Sequence, residues 1–361
     1  MPRPTLYVAI TNHGFGHATR TAAVLAELQR LLPDLLLIVV TSAPQWLIES
    51  YIPGEFIYRS RVFDVGVVQS DGLTMNVPAT LTQLKEIRTY QKRLVAGEVE
   101  YIRQMGAQLI LADIPPLASV IAEVAGIPCW MASNFGWDLI YRQWGEEFAE
   151  IVEWVTDCFQ KCDRLFRLPF HEPMPAFSQI TDVGLTGAAP RFTTLELRRK
   201  FGIQDQPGKT TLLSFGGLGL AKIPYRNVQQ FPDWQFITFD RLAPDVFPNL
   251  IKVTDPKYRP VDMMPLCGRI VSKPGYGTFA EACLLGIPII SLPRHDFAEA
   301  QYLLSGLQDF NSHYVLDVNE FTESQWEFLF KPLLPPRRDQ SLLKDGNRTI
   351  AQAIVDYFDK Q

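Results

Sequence analysis

Two of the chain's five histidines lie in one glycine-containing segment near the amino terminus. Residues 11–20 read TNHGFGHATR, in which His13 and His17 flank Gly14 and Gly16. Glycine lets the backbone approach a ligand closely, and a histidine that is partly neutral near pH 7 can accept a proton from a hydroxyl group. The segment predicts a ligand-binding loop in which His17, assisted by His13, acts as a general base. The alternative is that the histidines cap or pack a tight turn.

The same segment does not complete the dinucleotide-binding fingerprint. Thr19 replaces its third glycine, and the next apolar run ends at Val40, Thr41 and Ser42 without the acidic residue that holds a ribose. A nicotinamide-dependent enzyme is therefore disfavoured. Arg20, one turn into the following helical pattern, is interpreted as a solvated residue of the helix face.

Two further glycine-rich segments follow apolar runs in the second half of the chain. Residues 214–219 read SFGGLG, and residues 272–281 read SKPGYGTFAE. Exposed amides at the start of a helix favour anions, so both segments predict a diphosphate site, with Lys273 delivered to it by a strand end. A plain tight turn is the alternative for the first segment. In the second, Glu281 is expected to bind two ribose hydroxyls, and its alternative role is pairing with the helix dipole.

Polar residues also follow two apolar runs of the first half. Asp113 comes directly after residues 109–112, and Asn134 follows residues 129–132. At a strand end Asp113 would orient a histidine or bind hydroxyl groups, or it would cap the helix that follows. Trp137 belongs to an aromatic stripe with helical spacing, which favours a core position over a sugar-stacking surface.

Apolar runs that alternate with helical patterns predict an α/β protein with two doubly wound, Rossmann-like domains facing one cleft. A proline-containing segment separates the two series of runs. The expected units are an amino-terminal domain at 1–170, a linker at 171–191, a second domain at 192–335, and a carboxyl-terminal helical segment at 336–361 that packs across either domain.

Composition limits the function classes. The formal charge of −5 and the lack of a Lys/Arg block disfavour nucleic acid binding. Five cysteines without CxxC spacing predict buried thiols, and the chain has neither an Asp-x-Asp triplet nor a cluster of metal ligands. No signal peptide pattern and no apolar run of about 18 residues occurs, so a cytoplasmic location is expected, with contact at a membrane surface left open.

The glycine-rich motifs together resemble the GT-B glycosyltransferases, particularly the peptidoglycan N-acetylglucosaminyltransferase family and its UDP-glycosyltransferase-like relatives. The match runs from Gly275 to Glu281 and continues at Gly286, Pro288 and Pro293, while His17 falls on the histidine that ends the family's first loop. The HGFGHATR string also resembles the glycosyltransferase-like domain of plant arabinose kinases. The chain departs from the family at Lys273 and Pro274, and at a glutamine-rich element that here reads Glu299, Ala300, Gln301.

The resemblance implies an inverting, metal-independent transfer from a nucleoside diphosphate sugar, with a UDP sugar favoured, to an unidentified hydroxyl of a small molecule, glycan or lipid. His17, His13 and Asp113 would be catalytic, and Gly14, Gly16, Asn134 and Trp137 would lie on the acceptor side. The expected donor-binding residues are Gly216, Gly217, Gly219, Lys273, Gly275, Tyr276, Gly277, Thr278, Glu281, Arg294, Glu299 and Gln301. Two alternatives remain: a nucleotide-sugar epimerase using Asp113 and Glu299, and a binding protein without turnover.

Overall fold

The computed structural model describes residues 3–360, which form two parallel β-sheets with helices on both faces. The strands of the first sheet are β1 (Thr5–Ile10), β2 (Leu36–Val40), β3 (Ile57–Arg59), β4 (Leu109–Asp113), β5 (Cys129–Ser133), β6 (Arg164–Arg167) and β7 (Ile180–Asp182). Those of the second are β8 (Thr210–Ser214), β9 (Gln235–Thr238), β10 (Leu250–Lys252), β11 (Arg269–Ser272), β12 (Ile289–Ser291) and β13 (His313–Val315).

The helices cover both faces of each sheet and join its strands. In chain order they are α1 (Gly16–Leu31), α2 (Gln45–Glu49), α3 (Val77–Met105), α4 (Leu117–Ala125), α5 (Trp137–Arg142), α6 (Ala149–Phe159), α7 (Thr194–Phe201), α8 (Pro260–Met263), α9 (Tyr276–Leu285), α10 (Glu299–Phe310), α11 (Val318–Thr322) and α12 (Gly346–Phe358). Within residues 3–360, no helix combines the length and the apolar character that a membrane span requires.

The two sheets share one strand order. The first runs β3-β2-β1-β4-β5-β6-β7, and the second runs β10-β9-β8-β11-β12-β13. In each sheet the order reverses between its first and fourth strands, and open α/β sheets bind ligands beyond the carboxyl ends of the strands at this point. The polar segments after β1, β4, β8 and β11 therefore lie where this architecture forms a ligand site. The predicted α/β class is confirmed.

The strand predictions succeed where a strand is buried on both faces. All six residues of β1 are buried, as is every residue of β4. Such strands read as continuous apolar runs because helices exclude water from both faces of the sheet.

The structure differs from the sequence-based description at two places. The segment 171–191, expected to be a linker, contributes β7 to the edge of the first sheet, where it pairs with β6. The stripe of helical spacing that contains Trp137 is divided between α5 and α6, because Gly145 adopts a φ of +86° that a continuous helix does not allow.

The last helix returns to the first domain. Helix α12 packs against α1, and the Tyr357 hydroxyl donates to the backbone oxygen of Gln108 at 2.8 Å. Its buried residues Ile350 and Ile354 join a core that also contains residues of both sheets. The two domains are thus connected by continuous apolar packing.

Candidate functional site

Helices α1 and α9 meet at their amino-terminal ends across the domain boundary. A Cβ atom added to Gly277 would lie 3.5 Å from Thr19 Oγ1 and 3.8 Å from the Cα atom of Gly16. Among the described residues, no side chain caps either helix start, and neither first turn contains an acidic residue. The positive ends of two helix dipoles and their unpaired amides thus lie at one place, which favours an anion.

His17, in the first turn of α1, is held by Asp113 at the end of β4. Its Nδ1 lies 2.8 Å from Asp113 Oδ1. The carboxylate also accepts hydrogen bonds from Arg20 Nε at 2.6 Å and from Thr21 Oγ1 at 2.8 Å. Burial alone would raise the pKa of Asp113, but attraction to Arg20 and His17 and their hydrogen bonds hold it well below its usual range.

These contacts assign the proton on the imidazole. Nδ1 of His17 lies 2.8 Å from Asp113 Oδ1, which only accepts hydrogen bonds, and 3.1 Å from Arg20 Nη2, which only donates. The contact with the carboxylate is the shorter of the two and is charge-assisted, so we assign the hydrogen to Nδ1. Nε2 is then the ring nitrogen with a lone pair that can accept a proton. Asp113 therefore acts on the histidine and does not cap α4, whose cap position is Pro116.

Arg20 is buried, and its interpretation as a solvated residue is wrong. Only 3% of its surface is exposed, and besides Asp113 it donates from Nη1 to Asn134 Oδ1 at 2.7 Å. Asn134 in turn donates from Nδ2 to Glu299 Oε1 of the second domain at 2.8 Å. This chain of charge-assisted hydrogen bonds joins the two domains beside His17. A lone arginine on a helix carries no periodic signal of burial, so the sequence did not indicate the role.

His13 is packed between aromatic rings. Its ring stacks on Phe297 of the second domain at 5.5 Å and meets the edge of Trp137 at 5.3 Å, while its Nδ1 accepts the backbone N–H of Val67 at 3.3 Å. Burial, reinforced by repulsion from Arg294, lowers the pKa of His13 well below its ordinary value. These contacts favour a neutral packing role. Trp137 is fully buried behind it and supports the loop without exposing a stacking face.

Lys273, in the second of the two glycine-rich segments of the second domain, extends toward the first of them. Its Cε is 3.6 Å from the position of a Cβ at Gly216, where φ is +75°. Burial, with repulsion from Arg294, lowers the pKa of Lys273 to about 7. A Cβ added to Gly217 would lie 2.6 Å from the ring of Phe15 of the first domain, and the carbonyl of Gly219 accepts the N–H of Gly72 at 2.9 Å.

Tyr276 and Glu281 face the segment that joins the domains. The backbone N–H of Thr186 donates to the Tyr276 hydroxyl, and that of Ala188 donates to Glu281 Oε1, both at 3.3 Å. Burial raises the pKa of Glu281 to about 7. A cleft of about 450 Å³ lined by Ala188 and Arg259 adjoins this segment. Glu281 thus lies on the side of the site that faces the segment joining the two domains.

The remaining predicted residues differ in their burial and in their contacts with the site. Arg294 is buried, and its guanidinium lies 3.9 Å from the centre of the Phe297 ring. Gly275 precedes α9 in extended conformation, and Thr278 is half-buried in its first turn. Gln301 is exposed on α10, and its side chain forms no hydrogen bond within residues 3–360 that would tie it to this cluster.

Sequence reasoning missed Asp64. Thr11, directly after β1, donates from Oγ1 to Asp64 Oδ2 at 2.5 Å. Burial raises the pKa of Asp64 to about 6, although the Thr11 hydrogen bond and attraction to His17 oppose the rise. The residue lies in an irregular segment between β3 and α3, where no period or motif marks a functional position.

Comparison with known proteins identifies the fold. The calicheamicin glycosyltransferase CalG4 aligns with a TM-score of 0.61 and 16% identity over 99% of this chain and 95% of that one. UGT2 of Phytolacca americana, solved with UDP-2-fluoro-glucose and pterostilbene, aligns with a TM-score of 0.60 and 10% identity over 98% and 93%. UGT89C1 of Arabidopsis thaliana, solved with UDP, aligns with a TM-score of 0.60 and 14% identity over 98% and 94%. The chain has the GT-B glycosyltransferase fold, as its motifs indicated.

A sequence relative supports the second resemblance. L-arabinokinase of Arabidopsis thaliana is 29% identical over 330 residues, which cover 88% of this chain and 31% of that protein. The chain thus matches about a third of the length of this relative. No family model matches the sequence.

Proposed function

We propose that the protein is a glycosyltransferase that moves a sugar from a nucleoside diphosphate sugar, with a UDP sugar favoured, to an acceptor hydroxyl. The observation that carries the proposal is the meeting of α1 and α9 at Gly16 and Gly277, with His17 on one helix and Lys273 directly before the other. An anion site of two helix ends and a lysine thereby adjoins a histidine that is oriented to accept a proton.

The donor is expected to bind mainly to the second domain. The amides at the start of α9, the glycines of residues 216–219 and the Lys273 ammonium would hold the diphosphate. Glu281 would accept hydrogen bonds from the ribose hydroxyls next to the linker. The solved structures of similar fold that contain UDP or a UDP sugar support this choice of donor.

The transfer step follows from the orientation of His17. Its Nε2 takes the proton of the acceptor hydroxyl as the acceptor oxygen forms a bond to the anomeric carbon. The bond from that carbon to the diphosphate oxygen breaks on the opposite side, and the nucleoside diphosphate leaves with the bonding pair. Such a displacement inverts the configuration. Asp113 stabilises the imidazolium, while Lys273 and the helix amides offset the leaving charge without a metal ion.

The assay is release of UDP from UDP sugars in the presence of a panel of hydroxyl acceptors, with products identified by mass spectrometry. His17→Ala is expected to lower turnover by about 100-fold or more, because general base catalysis contributes 10²–10⁴-fold, and to leave donor affinity unchanged. His295→Ala, at an exposed histidine, is the matched control. Equal turnover of His17→Ala and wild type would remove the base assignment. Tight donor binding without any product would favour a binding protein.

The epimerase alternative is weakened by the geometry of its two acidic candidates. Asp113 is saturated by Arg20, His17 and Thr21, and Glu299 accepts from Asn134. An epimerase would change UDP-N-acetylglucosamine in the absence of any acceptor, whereas the proposed transferase at most hydrolyses it slowly.

A further inference from the structure

Arg294 lies between the diphosphate side of the site and the histidine loop. It follows the end of β12 in the second domain, and its guanidinium stacks on Phe297, whose ring also stacks on His13 of the first domain. The charge of Arg294 acts on both His13 and Lys273. A sugar that connects a diphosphate near Lys273 with an acceptor near His17 would pass this guanidinium.

One edge of this guanidinium has no hydrogen-bond partner. Nε and Nη2 of Arg294 are both buried, and the residues from 3 to 360 offer neither atom an acceptor. Only 9% of the residue's surface is exposed. Burying guanidinium N–H groups without hydrogen-bond acceptors is costly, so a protein that keeps such groups is expected to use them for a ligand.

The unpaired atoms define the shape of that ligand. Nε and Nη2 lie on the same edge of the planar guanidinium and donate in parallel, which matches the two oxygens of a carboxylate. In the proposed donor site, the diphosphate is already bound by Lys273, two helix ends and the glycine loop. Glu299, the carboxylate whose charge acts on Arg294, is hydrogen-bonded to Asn134 and does not occupy this edge.

We propose that the transferred sugar carries a carboxylate, as a uronic acid does, and that Nε and Nη2 of Arg294 bind its two oxygens. This inference rests on the proposed donor site and specifies its sugar class. Arg294 thereby selects the sugar, whereas Lys273 and the helix amides bind the part that all nucleotide sugars share.

The test is isothermal titration of the full chain with UDP, UDP-glucose, UDP-glucuronate and UDP-galacturonate. UDP-glucose and UDP-glucuronate differ only at C6. At least one uronate is expected to bind about 10- to 100-fold more tightly than UDP-glucose, as hydrogen bonds to a charged group typically contribute. Arg294→Gln should abolish that preference and change UDP affinity by less than about 2-fold. Arg241→Gln, at an exposed arginine of the same domain, should retain the preference.

Two results would overturn the inference. Wild-type protein that binds uronates and neutral sugars equally shows that no carboxylate is recognised, and this result needs no variant to fold. An Arg294→Gln variant that weakens UDP and every UDP sugar by the same factor shows that Arg294 binds the diphosphate. If the wild type binds none of the four ligands, the proposed function itself fails.

Discussion

Lys273 and Glu281 lie eight positions apart and carry opposite charges, and burial moves the pKa of each to about 7. The lysine is charged below that pH and the glutamate above it. A diphosphate requires the ammonium, and ribose hydroxyls donate best to the carboxylate. Both side chains therefore carry the charge that the ligand needs only near pH 7.

We therefore predict that the affinity for UDP-glucose is highest near pH 7 and falls on both sides. UDP-glucose is suited to the titration because its diphosphate, esterified at both ends, keeps the same charge through this range. Lys273→Gln should remove the alkaline decline, and Glu281→Gln should remove the acidic one. A wild-type affinity that is constant between about pH 5.5 and 8.5 would contradict this account, since groups with pKa values near 7 change charge there.

The residues of the site differ in how far the sequence indicated them. His17, Asp113 and Lys273 follow strand ends in recognisable motifs, so their convergence could be expected from the fold class. Arg20 and Asp64 could not be assigned in this way. Their roles depend on which side chains pack around them, and no local period records that environment.

Among the elements, α12 has a clear structural task. Ile354 is fully buried where α12 packs on α1, the helix that carries His17. The helix thus stabilises the first domain although it follows the second in sequence.

Ile354→Ala is predicted to reduce the free energy of unfolding by about 2–5 kcal/mol, because it opens a cavity in a packed core. Gln352→Ala, on the exposed side of the same helix, should have an effect within about 0.5 kcal/mol. Urea unfolding followed by circular dichroism measures both. If both variants unfold at the wild-type urea concentration, α12 does not support the core as described.

The strands also differ in how far the sequence predicts them. Buried strands such as β1 and β4 are continuous apolar runs and were recognisable. Strand β7 has only three residues, two of them exposed, in a segment rich in proline. Its pairing depends on the free edge of β6, which is a property of the folded sheet.

In the molecule as a whole, contacts between glycines of the two domains hold the cleft between them closed. Gly72 of the first domain lies so near the second that an added Cβ would be 2.6 Å from the Gly219 carbonyl oxygen and 2.8 Å from Lys273 Cδ. Asp71 also accepts the N–H of Ala221 at 3.2 Å. In the proposed transfer, closure of this kind would exclude water from the acceptor hydroxyl and the donor.

Gly72→Ala is predicted to keep the domains apart, because the new methyl group meets backbone that cannot yield. Small-angle X-ray scattering should give a larger radius of gyration than for wild type, and turnover should fall more than donor affinity. Gly97→Ala, where a Cβ meets open space, is the control. Identical scattering and turnover of Gly72→Ala and wild type would show that this contact does not close the cleft.

A nucleotide-sugar site at the start of α9 is tested by UDP titration of wild type, Lys273→Gln and Lys222→Gln. Lys222 is an exposed lysine close in sequence to the glycine loop. We expect the wild type to bind UDP, Lys273→Gln to bind about tenfold or more weakly through loss of a charge-assisted contact, and Lys222→Gln to match wild type. A wild-type protein that binds neither UDP nor another nucleoside diphosphate would contradict this expectation.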